Sequence, residues 1–259
     1  MPITDNQLSV NASRPPLFTA TIMDTPFFDR TPLELFLSTT SEQLTKSIAT
    51  FKYENGISKL IAVCGGSLVA GLGQEKVLAD VFAQLQPFAP HVAILTGGTR
   101  GGLPEAATKL AHQYGLQVLA VVPACAKPAN LMREVACRIQ VESLVVNSTW
   151  GSESAVLMNI ADGLVLMGGG AGTLTELANA LKINEGRLRA PPLTKGYAPI
   201  MIAPVSGYGG VADLLPALLA NSIIKQSLWE TCFPPATLHN GAEAATYLLH
   251  ALNIIASPI

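Results

Sequence analysis

The sequence predicts an α/β protein with a doubly wound parallel sheet. Apolar runs of strand length alternate with amphipathic helical segments, and this alternation is typical of consecutive βαβ units with right-handed crossovers. The apolar runs end in glycine or proline. Because ligands of open parallel sheets bind at the carboxyl ends of the strands, we expect the loops at 64–73, 97–102 and 168–172 to converge into one site.

Each predicted strand is a short apolar run, as expected for a strand that is buried on both faces of a parallel sheet. These runs span 60–64, 92–96, 117–122, 164–167 and 200–205. The predicted helices carry apolar residues at helical spacing. They span 74–86, 103–114, 155–161, 173–181, 211–218 and 241–252.

Three segments between these elements have less regular patterns. Residues 130–137 predict a short helix, and 144–146 predict a short strand. Residues 184–199 are polar and contain prolines, so they predict an excursion with the length of a lid or an interface segment.

The chain before the first strand predicts an N-terminal arm over residues 1–56, followed by a nucleotide-binding domain over 57–259. The first 30 residues are rich in Pro, Thr, Asn and Asp, which predicts an irregular segment. Thr31 followed by Pro32 predicts the start of a helix, and residues 41–53 predict a second helix.

The densest motif is the segment 162–182, DGLVLMGGGAGTLTELANALK, which predicts a strand, a glycine loop and a helix. Such a loop lets a ligand approach the backbone, and the amide groups and dipole at the start of the helix favour a phosphate or carboxylate. The predicted anion-binding residues are Gly169, Gly170, Ala171, Gly172 and Thr173. The alternative is a tight turn whose glycines serve packing alone.

Two charged side chains are candidates for the chemistry at this edge. Glu176, one turn into the helix, is expected to point back toward the loop and to face a part of the ligand such as a ribose hydroxyl. Arg100 is expected to pair with a phosphate, unless it is a solvated loop residue. The further candidates in the other loops are Gly65, Gly66, Ser67, Gly97, Gly98, Thr99, Arg133, Glu153 and Trp150, the last of which stacks on a base or packs in the core.

Composition excludes several classes of protein. A net charge of -2 gives no basic surface for a nucleic acid. The four cysteines are widely separated without CxxC spacing, so we expect no metal, no other cofactor and a reducing compartment. No secretory signal or membrane span is visible, which predicts a soluble cytoplasmic protein. With only 13% charged residues, part of the surface is expected to be covered in a homodimer.

The glycine motif resembles the PGGxGTxxE loop of the Lonely Guy family, the lysine-decarboxylase-like cytokinin riboside 5′-monophosphate phosphoribohydrolases, and related molybdenum-cofactor carrier proteins. Residues 168–176 match it, with Gly168 in place of the proline. The 97–102 loop and the Gly207-Tyr208 pair match in order. The resemblance implies a Rossmann-like, commonly dimeric fold. It also implies hydrolysis of the bond between base and ribose 5′-phosphate, with Glu176 engaging the ribose or the attacking water.

One departure from the family divides the functional hypotheses. Family enzymes carry an Arg-Lys pair on the preceding helix, where this chain has Glu153 and Ser154. A carboxylate does not stabilise a phosphate or a departing base as arginine does, so Arg100 or Arg133 would have to substitute. The first hypothesis is a nucleoside 5′-monophosphate hydrolase; the second is a non-catalytic carrier or sensor of a phosphorylated nucleotide or pterin such as molybdenum cofactor. A dinucleotide-dependent oxidoreductase ranks below both because GGSLVAGLG lacks GxGxxG spacing.

Overall fold

The computed structural model describes residues 19–23, 35–38, 41–66, 71–141, 151–190 and 198–256. Its centre is one sheet of eight strands. In chain order the strands are β1 (Thr19–Met23), β2 (Leu35–Ser38), β3 (Lys59–Gly65), β4 (Val92–Thr96), β5 (Gln117–Pro123), β6 (Cys137–Val141), β7 (Gly163–Met167) and β8 (Met201–Val205). Their order across the sheet is β2-β1-β6-β5-β4-β3-β7-β8.

Strands β6, β5, β4, β3, β7 and β8 are all parallel. Five of them coincide with the predicted apolar runs, and β6 was not predicted. Strand β3 lies between β4 and β7, and its last residues, Cys64 and Gly65, pair with Leu166 and Met167. The carboxyl ends of β3 and β7 therefore lie side by side. Strand β1 is antiparallel to β6 and to β2, so the two strands nearest the N-terminus extend the parallel sheet at one edge.

Eight helices accompany the strands in the described part of the chain. They are α1 (Ser41–Glu54), α2 (Leu72–Leu85), α3 (Gly102–Gln113), α4 (Ser152–Ile160), α5 (Ala171–Arg189), α6 (Gly210–Ala220), α7 (Gln226–Cys232) and α8 (Gly241–Ala251). Single 3₁₀ turns occur at Gln86–Phe88 and Pro128–Asn130. None of these helices is both long and apolar enough to span a membrane.

The helices cover both faces of the sheet and enclose two apolar cores. Helices α1, α4, α5, α6 and α7 contribute to one core, and α2, α3 and α8 contribute to the other. All five residues of β4 and of β7 are buried, and a strand with both faces covered needs apolar side chains at consecutive positions. This Rossmann-like α/β fold confirms the predicted fold class.

Two predictions near the N-terminus are wrong in their local structure. The helix expected to begin at Thr31 is not formed over Leu35–Ser38, which is strand β2, and the segment expected to be irregular contains β1. Pairing with a neighbouring strand overrides helix propensity for so short an apolar run. The helix predicted over 41–53 is confirmed as α1.

The structure corrects two further expectations and adds one helix. No helix covers 130–137, because backbone hydrogen bonds tie this segment to the loop after β4: Met132 N–H donates to the Gly98 carbonyl at 2.9 Å. Residues 184–189 continue α5 instead of starting an excursion. Helix α7 was not predicted, and the strand predicted over 144–146 lies outside the described residues.

Candidate functional site: an exposed helix start and a carboxyl group at the β3–β7 edge

The glycine loop turns the chain sharply from β7 into α5. Gly168 and Gly169 have φ angles of 61° and 88°, which L side chains rarely adopt. A methyl group added at Gly169 would overlap the side chain of Thr173. Conformation and packing therefore both require glycine at this turn.

The first turn of α5 is exposed and lacks a side-chain cap. Gly170, Ala171 and Gly172 are exposed, and the N-cap residue, Gly170, makes no side-chain capping hydrogen bond. Thr173 is only 3% exposed and packs against Gly169. The Thr175 hydroxyl donates to the Ala171 carbonyl at 3.0 Å, so neither threonine caps the helix. Helix-start amides in such a setting favour an anion.

The described parts of the loops after β3 and β7 meet at this edge of the sheet, together with the start of α3. A methyl group added at Gly66 would lie 3.9 Å from Gly169 Cα, so the ends of β3 and β7 approach closely. The Gly66 carbonyl accepts a hydrogen bond from Leu103 N–H at 2.9 Å, which joins the same loop to the start of α3. A methyl group at Gly65 would overlap Leu103 Cδ2. The predicted convergence is confirmed for the loops after β3 and β7, while the 97–102 loop bonds the segment before β6. Ser67 lies outside the described residues.

The chain that enters α6 contacts the backbone of the glycine turn. A methyl group at Gly210 would overlap the Gly169 carbonyl oxygen, and Val211 N–H donates to the Gly168 carbonyl at 3.0 Å. The Asp213 carboxylate accepts hydrogen bonds of 2.8 Å and 2.7 Å from two backbone amides of this loop. The turn therefore lies between Gly65–Gly66 at the end of β3 and the glycines at 207–210.

Glu176 is half-buried in the second turn of α5, near the Cys64 thiol at the end of β3. Burial raises the pKa of Glu176 to about 7, the negative charge of Glu153 raises it further, and the Cys64 thiol opposes the rise. Glu176 therefore changes its protonation state near neutral pH, as a general acid or base must.

Glu153 lies in the first turn of α4, and its Oε2 accepts a hydrogen bond from Gly151 N–H at 2.8 Å. The carboxylate is therefore held by its own helix start. Within the described residues, the titratable groups that shift the pKa of Glu176 are Cys64 and Glu153, and neither is cationic. This part of the structure thus pairs two carboxyl groups where the family resemblance implies an arginine.

Arg100 makes its contacts with the segment that precedes β6. Its Nε donates to the Leu131 carbonyl at 3.4 Å, and its backbone N–H donates to the Asn130 carbonyl at 2.8 Å. Its charge acts on Glu105 and Lys109 on α3. The Glu105 carboxylate also accepts from Gly101 N–H at 2.6 Å. Arg100 therefore supports its own loop and does not act on Glu176.

The remaining predicted residues have mainly structural contacts. Gly98, at a φ of 59°, leaves no room for a side chain because an added methyl group would lie 2.6 Å from Ala120 Cβ. Thr99 forms a backbone bridge with Leu131. Gly97 has open space around it, and Arg133 is exposed. Trp150 lies outside the described residues.

Sequence reasoning missed one residue of this site. Cys64 was not among the predicted site residues, although it is the last apolar residue of β3 and the glycine loop follows the strand beside it. Its side chain is 2% exposed and belongs to the core that faces α5. In the described part of the chain, no group of three or more His, Cys, Asp or Glu side chains is arranged to hold a metal ion.

Two solved structures share this fold. The X-ray structure of TM1055 aligns with a TM-score of 0.51 and 17% identity over 74% of this chain and 98% of that chain. The molybdenum cofactor binding protein from the phototrophic bacterium Rippkaea orientalis aligns with a TM-score of 0.51 and 18% identity, over 74% and 95% of the two chains. At these identities the likeness concerns the fold.

Sequence matches cover the segment that contains the candidate site. An uncharacterized protein of Archaeoglobus fulgidus is 28% identical over 135 residues, which are 51% of this chain and 83% of that protein. The model of the SLOG cluster4 family matches residues 60–186, from β3 through most of α5.

Proposed function

We propose that this protein hydrolyses the N-glycosidic bond of a nucleoside 5′-monophosphate. The observation that supports this proposal is the exposed, uncapped start of α5 beside Glu176, a carboxyl group with a pKa of about 7. The first feature is suited to a phosphate, and the second to proton transfer at neutral pH. The resemblance of residues 168–176 to the Lonely Guy loop supports the same reaction.

In the proposed reaction, the phosphate binds at Gly170, Ala171 and Gly172 and fixes the ribose in front of Glu176. Water adds to C1′ as the C1′–N bond breaks through an oxocarbenium-like state. Glu176 accepts a proton from the water, the departing base takes a proton from solvent, and Glu176 then releases its proton to solvent, so that the products are the free base and ribose 5-phosphate. Binding through the phosphate supplies orientation for the step, which is a large part of enzymatic rate enhancement.

The second candidate is a carrier that binds a phosphorylated pterin or nucleotide without turnover. Glu153 favours it, because an anionic group near the reacting centre replaces the arginine that the family resemblance implies. The fold shared with the molybdenum cofactor binding protein of Rippkaea orientalis is compatible with a pterin ligand. The same start of α5 would hold the phosphate.

Incubation with a panel of nucleoside 5′-monophosphates, followed by chromatography of the free base, tests the hydrolase. We expect release by the wild type and none by Glu176→Gln. The methyl group that Gly172→Ala adds has no protein atom within 4 Å and projects from the exposed first turn. The variant should therefore fold as the wild type does, and the methyl group should weaken ligand binding by obstructing the phosphate. Gly186→Ala, on the same helix with equally open surroundings, is the matched control and should bind as the wild type does.

The same variants separate the two candidates. A ligand that raises the Tm of the wild type without base release, and whose effect is lost in Gly172→Ala, identifies a carrier. A panel that includes phosphorylated pterins and gives neither release nor a Tm shift refutes both.

The proposal includes a homodimer. Helix α5 exposes Leu174 and Leu188, and α6 exposes Leu214, each with 41–52% of its surface accessible. Large apolar side chains on exposed helix faces are typical of subunit contacts. Analytical ultracentrifugation tests this assembly, and a monomer at micromolar concentration would contradict it.

A further inference from the structure

The start of α2 lies against the glycine turn between β7 and α5. A methyl group added at Gly168 would lie 2.8 Å from Gln74 Nε2 and 3.4 Å from the Tyr208 carbonyl oxygen. A methyl group added at Gly73 would lie 3.0 Å from Cε1 of the Tyr208 ring. Gly168 is therefore enclosed by the first turn of α2 and by the chain that enters α6, and Gln74 is a side chain that α2 brings to the turn.

A hydrogen bond fixes the orientation of the Gln74 carboxamide. Its Oε1 accepts from Gly71 N–H at 3.1 Å, a contact that caps the start of α2. Because the oxygen is bound to the N-cap residue, the NH2 group is the end that lies beside Gly168. Gln74 is half-buried, and within the described residues its NH2 group donates no hydrogen bond. Helix capping therefore accounts for the oxygen of this side chain and leaves its two N–H donors beside the candidate site.

The same contact accounts for the glycine at position 168. The loop of the Lonely Guy family has proline there, but proline is fixed near a φ of about −65°, whereas Gly168 has a φ of 61°. The NH2 group of Gln74 also lies where a Cβ atom would be. The turn therefore admits this donor only because residue 168 is glycine, so the departure from the family loop and the placement of Gln74 belong together.

The amide lies within the length of a nucleotide bound at the start of α5. Gly168 and Gly170 are two residues apart, so their Cα atoms are separated by at most about 7 Å. Helices α2 and α5 pack on opposite faces of the sheet. The proposed function assigns the phosphate to the first turn of α5 and the ribose to Glu176 on the same helix. The base is then the part of the ligand that crosses the end of β7 toward Gln74.

We propose that Gln74 is a specificity-determining residue for the base of the ligand, and that its NH2 group donates a hydrogen bond to a carbonyl oxygen or ring nitrogen of that base. This inference rests on the proposed function for the position of the phosphate. It applies equally to a nucleotide that is hydrolysed and to one that is carried. Ribose 5-phosphate, which has no base, lacks this contact.

Calorimetric titrations with ribose 5-phosphate and with the 5′-monophosphates of adenosine, guanosine, cytidine and uridine test the inference. They are made in the Glu176→Gln background, which prevents turnover. We expect at least one nucleotide to bind more tightly than ribose 5-phosphate. Gln74→Met keeps the length of the side chain and removes the donor, so it should weaken that nucleotide about three- to tenfold. The affinity for ribose 5-phosphate should not change.

The comparison of two ligands on one variant excludes an effect of folding. A loss of folded protein would change both affinities alike and leave their ratio unchanged. Gln84 is exposed in the last turn of α2, so Gln84→Met is the matched control and should keep the wild-type ratio. The inference is refuted if Gln74→Met weakens both ligands equally, if it weakens neither, or if no nucleotide binds more tightly than ribose 5-phosphate.

Measurement of base release separates this inference from the proposed hydrolase. If the wild type releases free base and Gln74→Met keeps the wild-type ratio of affinities, the role of Gln74 is refuted and the hydrolase stands. If Gln74→Met selectively loses nucleotide affinity and the wild type releases no base, the role of Gln74 is supported and the hydrolase is refuted.

Discussion

Replacing Glu176 with glutamine should stabilise the protein at alkaline pH and have a smaller effect in acid. The carboxyl group of Glu176 is half-buried and has a pKa of about 7. Between the ordinary carboxyl pKa and this value, the native state binds a proton that the unfolded state has released. The free energy of unfolding of the wild type therefore falls as pH rises through this window. Glutamine has nearly the same shape and does not titrate.

The magnitude follows from the size of the shift. A rise of the Glu176 pKa from 4.5 to about 7 corresponds, at about 1.4 kcal/mol per unit, to about 3 kcal/mol. The loss starts near pH 4.5 and is complete above pH 7. Because solvent reaches the exposed part of the side chain and part of the loss precedes pH 5, we expect the advantage of Glu176→Gln to grow by about 2–3 kcal/mol between pH 5 and pH 8.

Urea unfolding followed by circular dichroism at these two pH values measures the difference. Glu185→Gln on the same helix is the matched control, because the hydrogen bond from Lys225 lowers the pKa of Glu185 and its substitution should not stabilise the protein at pH 8. A difference between Glu176→Gln and the wild type that is the same at both pH values would refute the reasoning. So would a destabilisation at pH 8.

Three further comparisons test the structure around the site, each by urea unfolding. Gly169→Ala should destabilise the protein by about 2–4 kcal/mol, because Gly169 has a φ of 88° and the added methyl group would overlap the buried Thr173 side chain. The control, Gly186→Ala, should be neutral or stabilise the protein by up to about 1 kcal/mol. Equal effects of the two substitutions would contradict this prediction. Asn184→Ala should cost about 2–4 kcal/mol, because the buried amide bonds the backbone N–H and C=O of the residue before β8 at 2.7 Å and 2.8 Å, and a cost below about 1 kcal/mol would count against it. Lys52→Ala should lower the free energy of unfolding by less than about 1 kcal/mol, because its ion pair with Asp162 is partly exposed. Asp162→Ala should lower it by about 1–3 kcal/mol, because the Leu60 N–H on β3 also loses its acceptor. A larger loss in the lysine variant would contradict this order.

Five of the six parallel strands were predictable from the sequence, because a strand that is buried on both faces is a continuous apolar run. The run 92–96 coincides with β4, and 164–167 lies within β7. The glycine loop was equally visible, since turns at positive φ need glycine and the succeeding helix shows its apolar spacing. Convergence of the loops followed from the topology of parallel sheets. These features depend on local patterns that the fold does not override.

Other features depend on partners distant in the sequence. Strand β2 forms because β1 lies beside it, and α5 continues past residue 183 although its sequence becomes polar. The buried side chain of Asn184 explains this continuation, because its amide bonds the backbone of Ile200. Arg100 carries the charge that a phosphate site needs, but its loop lies against the segment before β6. The placement of Cys64 near Glu176 likewise depends on the order of the strands.

The neighbourhood of β3 and β7 has a consequence for how this protein acquires its function during synthesis. The paired residues Ile61 and Gly163 are separated by about 100 positions. Bringing them together closes a long loop at a cost in chain entropy, so this contact forms late. A nascent chain that has emerged from the ribosome only as far as α3 already holds β3 and β4, yet it has neither the glycine turn nor the carboxyl group. The proposed ligand site therefore forms in a single late step, when β7 docks beside β3.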